Sequence, residues 1–569
     1  MLTITQTRMR NYFPLRSYDQ LGWRICFRLS GYFVLVCIVF FMITLDFGKC
    51  YKTKDLNKRL NNALSRLENL RTDNAELDAQ LVELQNQIRI QTEKNAKNAV
   101  PVAPSKEYEI LRRRIFSNTK EFWYYINSEL KSLGKQVQGV ERIGHMEISV
   151  GERYRSLLKD ISDLTKVDDY ATWRQEESEN LSSLVQNRLD DLQNPAECSK
   201  AKQLVCNLKK KCSFGCQLHH IVYCFIVAYA TRRTFVLDSE NWSYAAKWQN
   251  IFFPLSDTCS FSVNRTIVEW SGIDDKYAQV IFLPIIDELR NRPSYLPQNI
   301  PYDLASRLST LHGDPIVWWI GQFLKYLIRP QAITSRQLDE YAKKVKFQKP
   351  IVGVHIRRTD TIIYEAKIHK LDEYMTHVEE YYKIRQLQSD AVIIKRIYLA
   401  TDDPTLFTEA KLKYPEYEII GDEEISRTTD VLVYHNVALN GIVDDIYFLS
   451  LCDYLVCTFS SQVCRTAYEI MNTLHPDASS LYTSLDDVYY YGGQNFRLNK
   501  AVLAHESDGP DEIDLQVNDE IHVAGNHWNG YSKGTNIRTG ITGLYPTFKV
   551  VPVIQSANFS LHNEQYTEF

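Results

Sequence analysis

Two adjacent arginines close an apolar run in His355-Ile-Arg357-Arg358-Thr-Asp360. Guanidiniums are planar, always charged and rich in donors, so a pair of them suits the oxygens of a diphosphate. A second polar cluster, Asp402-Asp403-Pro404, follows the run RIYLATDD over 396–403; a third, Thr458-Phe-Ser460-Ser461-Gln462, ends YLVCTFSS over 454–461, just before a helix-patterned stretch reaching about Met471. Serine at a strand-to-helix turn is a natural N-cap, and a helix N-terminus is a ready anion site. The plainer alternative is that Arg357 and Arg358 pair with Asp360 or Asp402 and only tie loops together. No Asp-x-Asp sequence occurs anywhere in the chain, so the acidic pair by which many enzymes hold a divalent cation beside a diphosphate is missing. Arginine and a helix terminus could supply that charge instead. The residues alone lead to a metal-independent enzyme acting on a nucleotide diphosphate.

These polar ends need strands to hold them. After Pro195, short apolar runs recur: IVYCFIVAYA (221–230), TFVLD (234–238), VIFLP (280–284), PIVGVHI (350–356) and the two runs above. They alternate with helix-patterned stretches, the pattern of buried parallel strands in an α/β domain. In such sheets ligands sit at the carboxyl ends of the strands.

The rest of the chain bounds where this domain works. Its 569 residues are about 3.8 times a rough single-domain length of 150, so several units are expected. With 44% hydrophobic and 24% charged residues, most of it folds in water, and 66 Lys+Arg against 70 Asp+Glu supply no cationic field for nucleic acid. Leu29 to Leu45 is an unbroken apolar run between Arg28 and Asp46, at the lower limit for a membrane span. Arg8, Arg10, Arg16, Arg24 and Arg28 precede it with only Asp19 opposing. The positive-inside rule then makes it an uncleaved signal anchor with the body in a lumen; the alternative is a buried helix of a soluble protein. An oxidising lumen permits disulfides and glycans at Asn180, Asn241, Asn264 and Asn558, each in an N-x-[ST] pattern.

From Leu56 to Ile88 a four-three spacing (Leu56, Leu60, Ala63, Leu67, Leu70, Asn74, Leu77, Leu81, Leu84, Ile88) predicts a coiled-coil seam with Asn74 at an a position, which favours an in-register dimer. An intramolecular hairpin is the alternative, since Ile110–Leu133 and Ile161–Leu192 are also helix-patterned. Pro101-Val-Ala-Pro104 makes a linker.

The motif from His355 to Asp360, YLATDDP (398–404), LVCTFSSQVCRTAYEIMNTLHPDAS (455–479) and SLDDVYYYGGQN (484–495) together resemble the eukaryotic α-1,6-fucosyltransferases that core-fucosylate N-glycans. That resemblance implies an α/β, GT-B-like fold with one Rossmann nucleotide-binding half, GDP-β-L-fucose as donor, the 6-hydroxyl of the Asn-linked GlcNAc as acceptor, inversion, and no metal or other cofactor. Arg357 and Arg358 would hold the diphosphate. His355 and Asp445 would contact the guanosine, while Tyr244, Ser461 and Gln462 line the donor site beside Asp402 and Asp403. Glu365 matches the general base, with Arg358 and Asp360 also catalytic, and Asp287, Asp487 and His527 face the acceptor. The family pattern has a Lys after Arg-Arg-Thr-Asp where this chain has Thr361; Lys367 is the nearest substitute. The resemblance also pairs Cys198 with Cys259, Cys206 with Cys224, Cys212 with Cys216 and Cys457 with Cys464, leaving Cys452 over. A zinc set from Cys212, Cys216, His219 and His220 is the alternative, though its spacing fits no usual site.

EIDLQVNDEIHVAGNHWNGYSKG (512–534) and GLYPTFKVV (543–551) resemble an SH3 domain. His505 and Lys549 stand where groove aromatics are expected, which weighs against proline-rich peptides as ligands. The expected organisation is a cytosolic tail (1–28), anchor (29–47), stem and coiled coil (48–100), helical region (105–195), cysteine-rich catalytic subdomain (196–345), Rossmann subdomain (346–498), SH3-like β-barrel (499–555) and tail (556–569), in a Golgi type II homodimer. The rival readings are an α-1,2 or protein O-fucosyltransferase, or a membrane-tethered scaffold with a dead catalytic core.

Overall fold

The computed structural model describes residues 61–77, 79–81, 83–84, 102–136, 140–261, 266–273, 275–285, 289, 292–358, 368–428, 436–492 and 497–559. The chain divides into two units after Val100. In the first, residues 61–77 are helical, as the seam spacing predicts, and Leu67, Leu70 and Leu77 are exposed along it. Such a stripe of leucines on a lone helix is what a second helix would cover. The expected anchor lies outside the described residues, and among those described no helix is long and apolar enough to cross a membrane.

The second unit opens with helices Lys106–Gln136, Val140–Val167 and Ala171–Gln193. The first two pack with Trp123 stacked on Tyr154. The stretch expected as one helix over Ile161–Leu192 is broken, because Asp169 takes a left-handed φ of 59° and the Asp168 carboxylate accepts from the Tyr170 amide and the Tyr108 hydroxyl. A short acidic side chain that bonds its own backbone competes with the helix.

The first parallel sheet contains β1 (Gln203–Asn207), β2 (Thr234–Asp238), β3 (Ile267–Glu269) and β4 (Val280–Phe282) in the order β2-β1-β4-β3. The run 221–230, expected as a strand, belongs instead to helix Phe214–Ala230, buried along nearly its whole length. A ten-residue apolar run without alternation fits either element, and the parallel pairing of β1 with β2 requires a crossover there. The strand is β1, whose five residues carry little apolar signal.

Beyond β5 (Ile300–Pro301), helices Tyr302–Leu311, Pro315–Leu327 and Ala332–Val345 lead to the second parallel sheet: β6 (Val352–Ile356), β7 (Arg396–Thr401), β8 (Glu418–Ile420), β9 (Tyr454–Cys457) and β10 (Tyr482–Ser484). Its order is β10-β9-β6-β7-β8. The chain runs outward one way from β6 through β7 to β8 and then returns to the other side for β9 and β10, so the topological switch lies between β6 and β9. In sheets of this kind the ligand crevice lies there, beyond the carboxyl ends. Helix Gln462–Leu474, following β9, packs closely on Pro315–Leu327: a Cβ on Gly321 would run into the Glu469 carbonyl oxygen.

The third sheet is antiparallel, with β11 (Leu498–Ala501), β12 (Glu520–Asn526), β13 (Tyr531–Asn536), β14 (Thr542–Pro546) and β15 (Val550–Pro552) in the order β14-β13-β12-β11-β15, around Ala501, Ile513, Leu515, Ile521, Tyr545 and Val550. The segment expected as a tail begins with β16 (Ser556–Ala557), which pairs with β5. Phe559 then buries itself against Tyr229, Tyr295 and Trp319.

Candidate active site

The switch-point crevice is framed by three strand ends. β6 delivers His355, then Arg357 and Arg358; β7 delivers Asp402 and Asp403; β9 delivers the turn Thr458–Ser461 and the first residue of the following helix, Gln462. The Asp402 carboxylate accepts from the Arg358 amide at 2.7 Å, which fixes the backbone where β6 ends. Asp403 receives the Arg358 guanidinium at 3.2 Å and the amide and hydroxyl of Thr405. Partial burial opposes ionisation of Asp403, but the bonds from Thr405 and Arg358 outweigh it and hold the carboxyl below its usual range. The Arg358 guanidinium thus ties this loop to Asp403, a partner not among those expected, while Asp360 lies outside the described residues.

Burial, reinforced by Arg357 and opposed by Asp402, brings the His355 imidazole down to about 4, so it is neutral near pH 7. Its Nδ1 is buried with no hydrogen-bond partner among the described residues. Ser461 stands at the N-cap of Gln462–Leu474 as expected, yet its side chain makes no cap bond. It is 1% exposed, and its hydroxyl has no partner among the described residues. Buried polar atoms are rarely left unsatisfied; these two leave hydrogen-bonding capacity at neighbouring strand ends.

The turn that carries Ser461 is held on both sides. Cys457 is bonded to Cys464, closing seven residues across it. From β10, the Asp486 carboxylate accepts the amides of Phe459 at 2.7 Å and Ser460 at 3.3 Å. Asp486 carries no sequence signal for this role, because its partners lie 26 and 27 residues away. The neighbouring Asp487 is half-buried, and burial together with Asp486 raises its carboxyl above the usual range.

The antiparallel sheet reaches this same loop. The Trp528 indole N–H donates to the Asp486 carbonyl at 3.3 Å, its ring meets Tyr124 edge-on, and its backbone sits at a left-handed φ of 55°. A bulky residue is held there only when its surroundings over-determine it. The tryptophan that would line a peptide groove is thus engaged within the chain, and His505 and Lys549 contact each other. The same connection brings His527, exposed beside Trp528, and Asp487 onto neighbouring loops.

Asp445, on helix Asn436–Leu451, is buried and accepts the Tyr398 hydroxyl at 2.8 Å. Burial pushes its carboxyl up to about 8 against that hydrogen bond, and burial also lifts adjacent Asp444 to about 7. Tyr244 packs on Phe214 and Trp242 beyond the first sheet, and Gly215, next to Phe214, lies directly against Gln462. Asp287, Asp360, Glu365, Thr361 and Lys367 lie outside the described residues.

Disulfides join Cys198–Cys259, Cys206–Cys224 and Cys212–Cys216, and Cys452 is buried and free. Cys206, His220 and Cys224 cluster closely enough to hold a metal. With the two cysteines bonded to each other, they offer no thiolates for it.

Comparison with known proteins gives these residues a context. A family model described as alpha-(1,6)-fucosyltransferase N- and catalytic domains matches residues 20–490. A Drosophila melanogaster protein named alpha-(1,6)-fucosyltransferase is 49% identical over 468 residues, covering 81% of this chain and 75% of its own. A Caenorhabditis elegans protein of the same name is 39% identical over 453 residues, 78% of each chain. Among solved structures, fucosyltransferase NodZ from Bradyrhizobium aligns with 47% of this chain and 92% of its own at a TM-score of 0.30 and 13% identity.

Proposed function

The chain belongs to the alpha-(1,6)-fucosyltransferase family, and on that premise we propose that it moves fucose from GDP-β-L-fucose to the 6-hydroxyl of the innermost, Asn-linked GlcNAc of N-glycans. The observation that carries this reading is the switch-point crevice. Two arginines at a strand end lie beside a disulfide-stapled helix N-terminus, with buried Ser461 and His355 atoms that have no partner among the described residues.

In this reading Arg357, Arg358 and the helix N-terminus hold the diphosphate, and neutral His355 and Asp445 meet the guanosine. The acceptor oxygen attacks the anomeric carbon from the face opposite the diphosphate. As the new C–O bond forms and the bond to the β-phosphate oxygen breaks, the hydroxyl proton passes to Glu365 and the charge on departing GDP is met by the arginines. Inversion follows from that single displacement, and fixed cations supply what a metal would otherwise give. Asp287, Asp487 and His527 belong to the acceptor side.

Incubating the protein with GDP-fucose and a defined N-glycan in chelator, then assigning the product linkage by NMR, tests this directly. Fucose on any other hydroxyl, or transfer only on adding a divalent ion, overturns it. The anchor and its basic flank support a Golgi type II placement, for which digestion of the catalytic body in sealed vesicles is the contrary result. The exposed seam leucines support a dimer, which light scattering with and without residues 1–107 tests.

A further inference from the structure

We propose that His219, Glu469 and Tyr489 are positioning residues that aim the amide N–H groups of Gln462 at the donor diphosphate. The proposal rests on the reading of the crevice as a GDP site.

His219 lies on the crossover helix of the first sheet, Phe214–Ala230, one turn beyond Gly215. Glycine matters there: a Cβ would stand 2.9 Å from the Gln462 Cβ and 3.1 Å from its carbonyl carbon, so its absence lets this helix approach the start of Gln462–Leu474. Across that approach His219 Nδ1 sits 2.6 Å from Gln462 Oε1, and Nε2 sits 3.0 and 2.9 Å from the two Glu469 oxygens. Gln462 and Glu469 are seven residues apart on one helix, hence on one face. The Tyr489 hydroxyl donates to Glu469 Oε1 at 2.6 Å, and the Tyr491 hydroxyl donates to the His219 carbonyl. Glu469 is 0% exposed.

A clamp needed only for stability would be complete with His219 and Glu469. The additional contact to Gln462 ties one end of that amide to the clamp. Gln462 turns Oε1 to His219, an arrangement in which Nδ1 carries the proton while Nε2 meets the Glu469 carboxyl group, and the amide nitrogen is then the end left for a ligand, with no partner among the described residues. It stands beside the unsatisfied Ser461 hydroxyl at the N-terminus of a 13-residue helix. Two N–H donors fixed at such a terminus match diphosphate oxygens. The first sheet thereby takes part in donor binding through one hydrogen-bond chain, although none of these three side chains need touch the donor.

The test is a double-mutant cycle on the full chain, with GDP binding measured by calorimetry and folding by thermal melting. His219→Phe and Gln462→Ala should each weaken GDP about tenfold, the scale of one hydrogen bond to a charged group. The double variant should be no weaker than Gln462→Ala alone. Losses that multiply to about a hundredfold, or a His219→Phe protein that binds GDP like wild type, overturn the clamp. If His219→Phe fails to fold, Tyr489→Phe enters the same cycle: a loss of about threefold that vanishes in the Gln462→Ala background supports the proposal, and one that persists there refutes it. Wild-type protein that ignores GDP overturns the donor-site reading and the clamp with it, whereas additive losses overturn the clamp alone.

Discussion

The two sheets are both parallel but differ in strand order and in purpose. At the carboxyl end of the first, β1 and β2 run into aromatic packing: Phe214, Trp242, Tyr244 and Trp248 close over one another, while Cys212–Cys216 fastens the start of the crossover helix and Cys206–Cys224 its middle. At the equivalent end of the second, β6, β7 and β9 present arginines, aspartates and a serine turn, with His355 Nδ1 and Ser461 Oγ buried and unsatisfied among the described residues. Apolar closure lowers free energy without a ligand; unsatisfied polar groups raise it until one binds. The first end also holds the unpartnered Trp248 indole N–H, but within an aromatic cluster; the contrast teaches that a strand end becomes a site where spare bonding capacity lies beside charged side chains and a helix N-terminus, and that a neighbouring parallel sheet can serve as its buttress.

The largest effect that would break this comparison lies at the second sheet's end. Arg358→Ala should lose both turnover and GDP affinity, with kcat down by about 10² or more. Arg358→Lys should recover only part, because the planar fork is gone. Glu365→Gln should lower kcat by about 10² while GDP affinity stays near wild type. Near-normal initial rates for either Arg358→Ala or Glu365→Gln would remove that residue from the mechanism.

Disulfides sharpen the comparison because the same bond occurs in both regions. Replacing Cys206 and Cys224 by serine should cost stability, about 2–5 kcal/mol on the usual scale, yet leave GDP affinity within about threefold, since that bond closes the buttress. Replacing Cys457 and Cys464 should lower both, as it frees the turn carrying Ser461. Equal affinity losses in the two variants would erase the distinction. A smaller effect is expected for Ser461→Ala: GDP binding weaker by up to about tenfold with an unchanged melting temperature, because the hydroxyl forms no bond to any described residue. A clear fall in melting temperature would show instead that the serine is structural.

A further effect concerns pH. Asp445 has its folded carboxyl raised to about 8 by burial, so the folded state holds a proton that the unfolded chain releases near pH 4. Its contribution to stability is complete below the unfolded value and is lost as pH rises through about 8. Asp445→Asn should therefore flatten the decline in melting temperature between pH 5 and 8, on the order of the usual single-group linkage. An identical slope in wild type and variant would show that Asp445 does not carry it.

Legibility in the sequence followed the range of the interactions. The runs that became β2, β4, β6, β7 and β9 could be read because a buried parallel strand is a short apolar stretch ending at a polar loop, and Arg357, Arg358, Asp402, Asp403 and Ser461 could be read because each sits at such an ending. The run 221–230 was ambiguous, since unbroken apolarity suits a covered helix as well as a strand. Ser461 looked like a helix cap, and only the fold showed its hydroxyl unused. Asp486 and Glu469 carried no signal for the roles they play, Trp528 read only as part of the SH3-like pattern, and His219 only as a member of the zinc alternative. Their roles exist only through partners far along the chain, such as the 250 residues separating His219 from Glu469.

By itself, then, the sequence determined the α/β class, the strand ends that bear charge and the chemistry those charges suit, because side-chain type and local periodicity act over a few residues. The tertiary structure alone decided which crevice is the switch point, which polar atoms remain unsatisfied inside it, and which distant side chains hold Gln462 and the Ser460–Ser461 turn in place. Those outcomes depend on chain crossings and close packing between elements that no local pattern encodes.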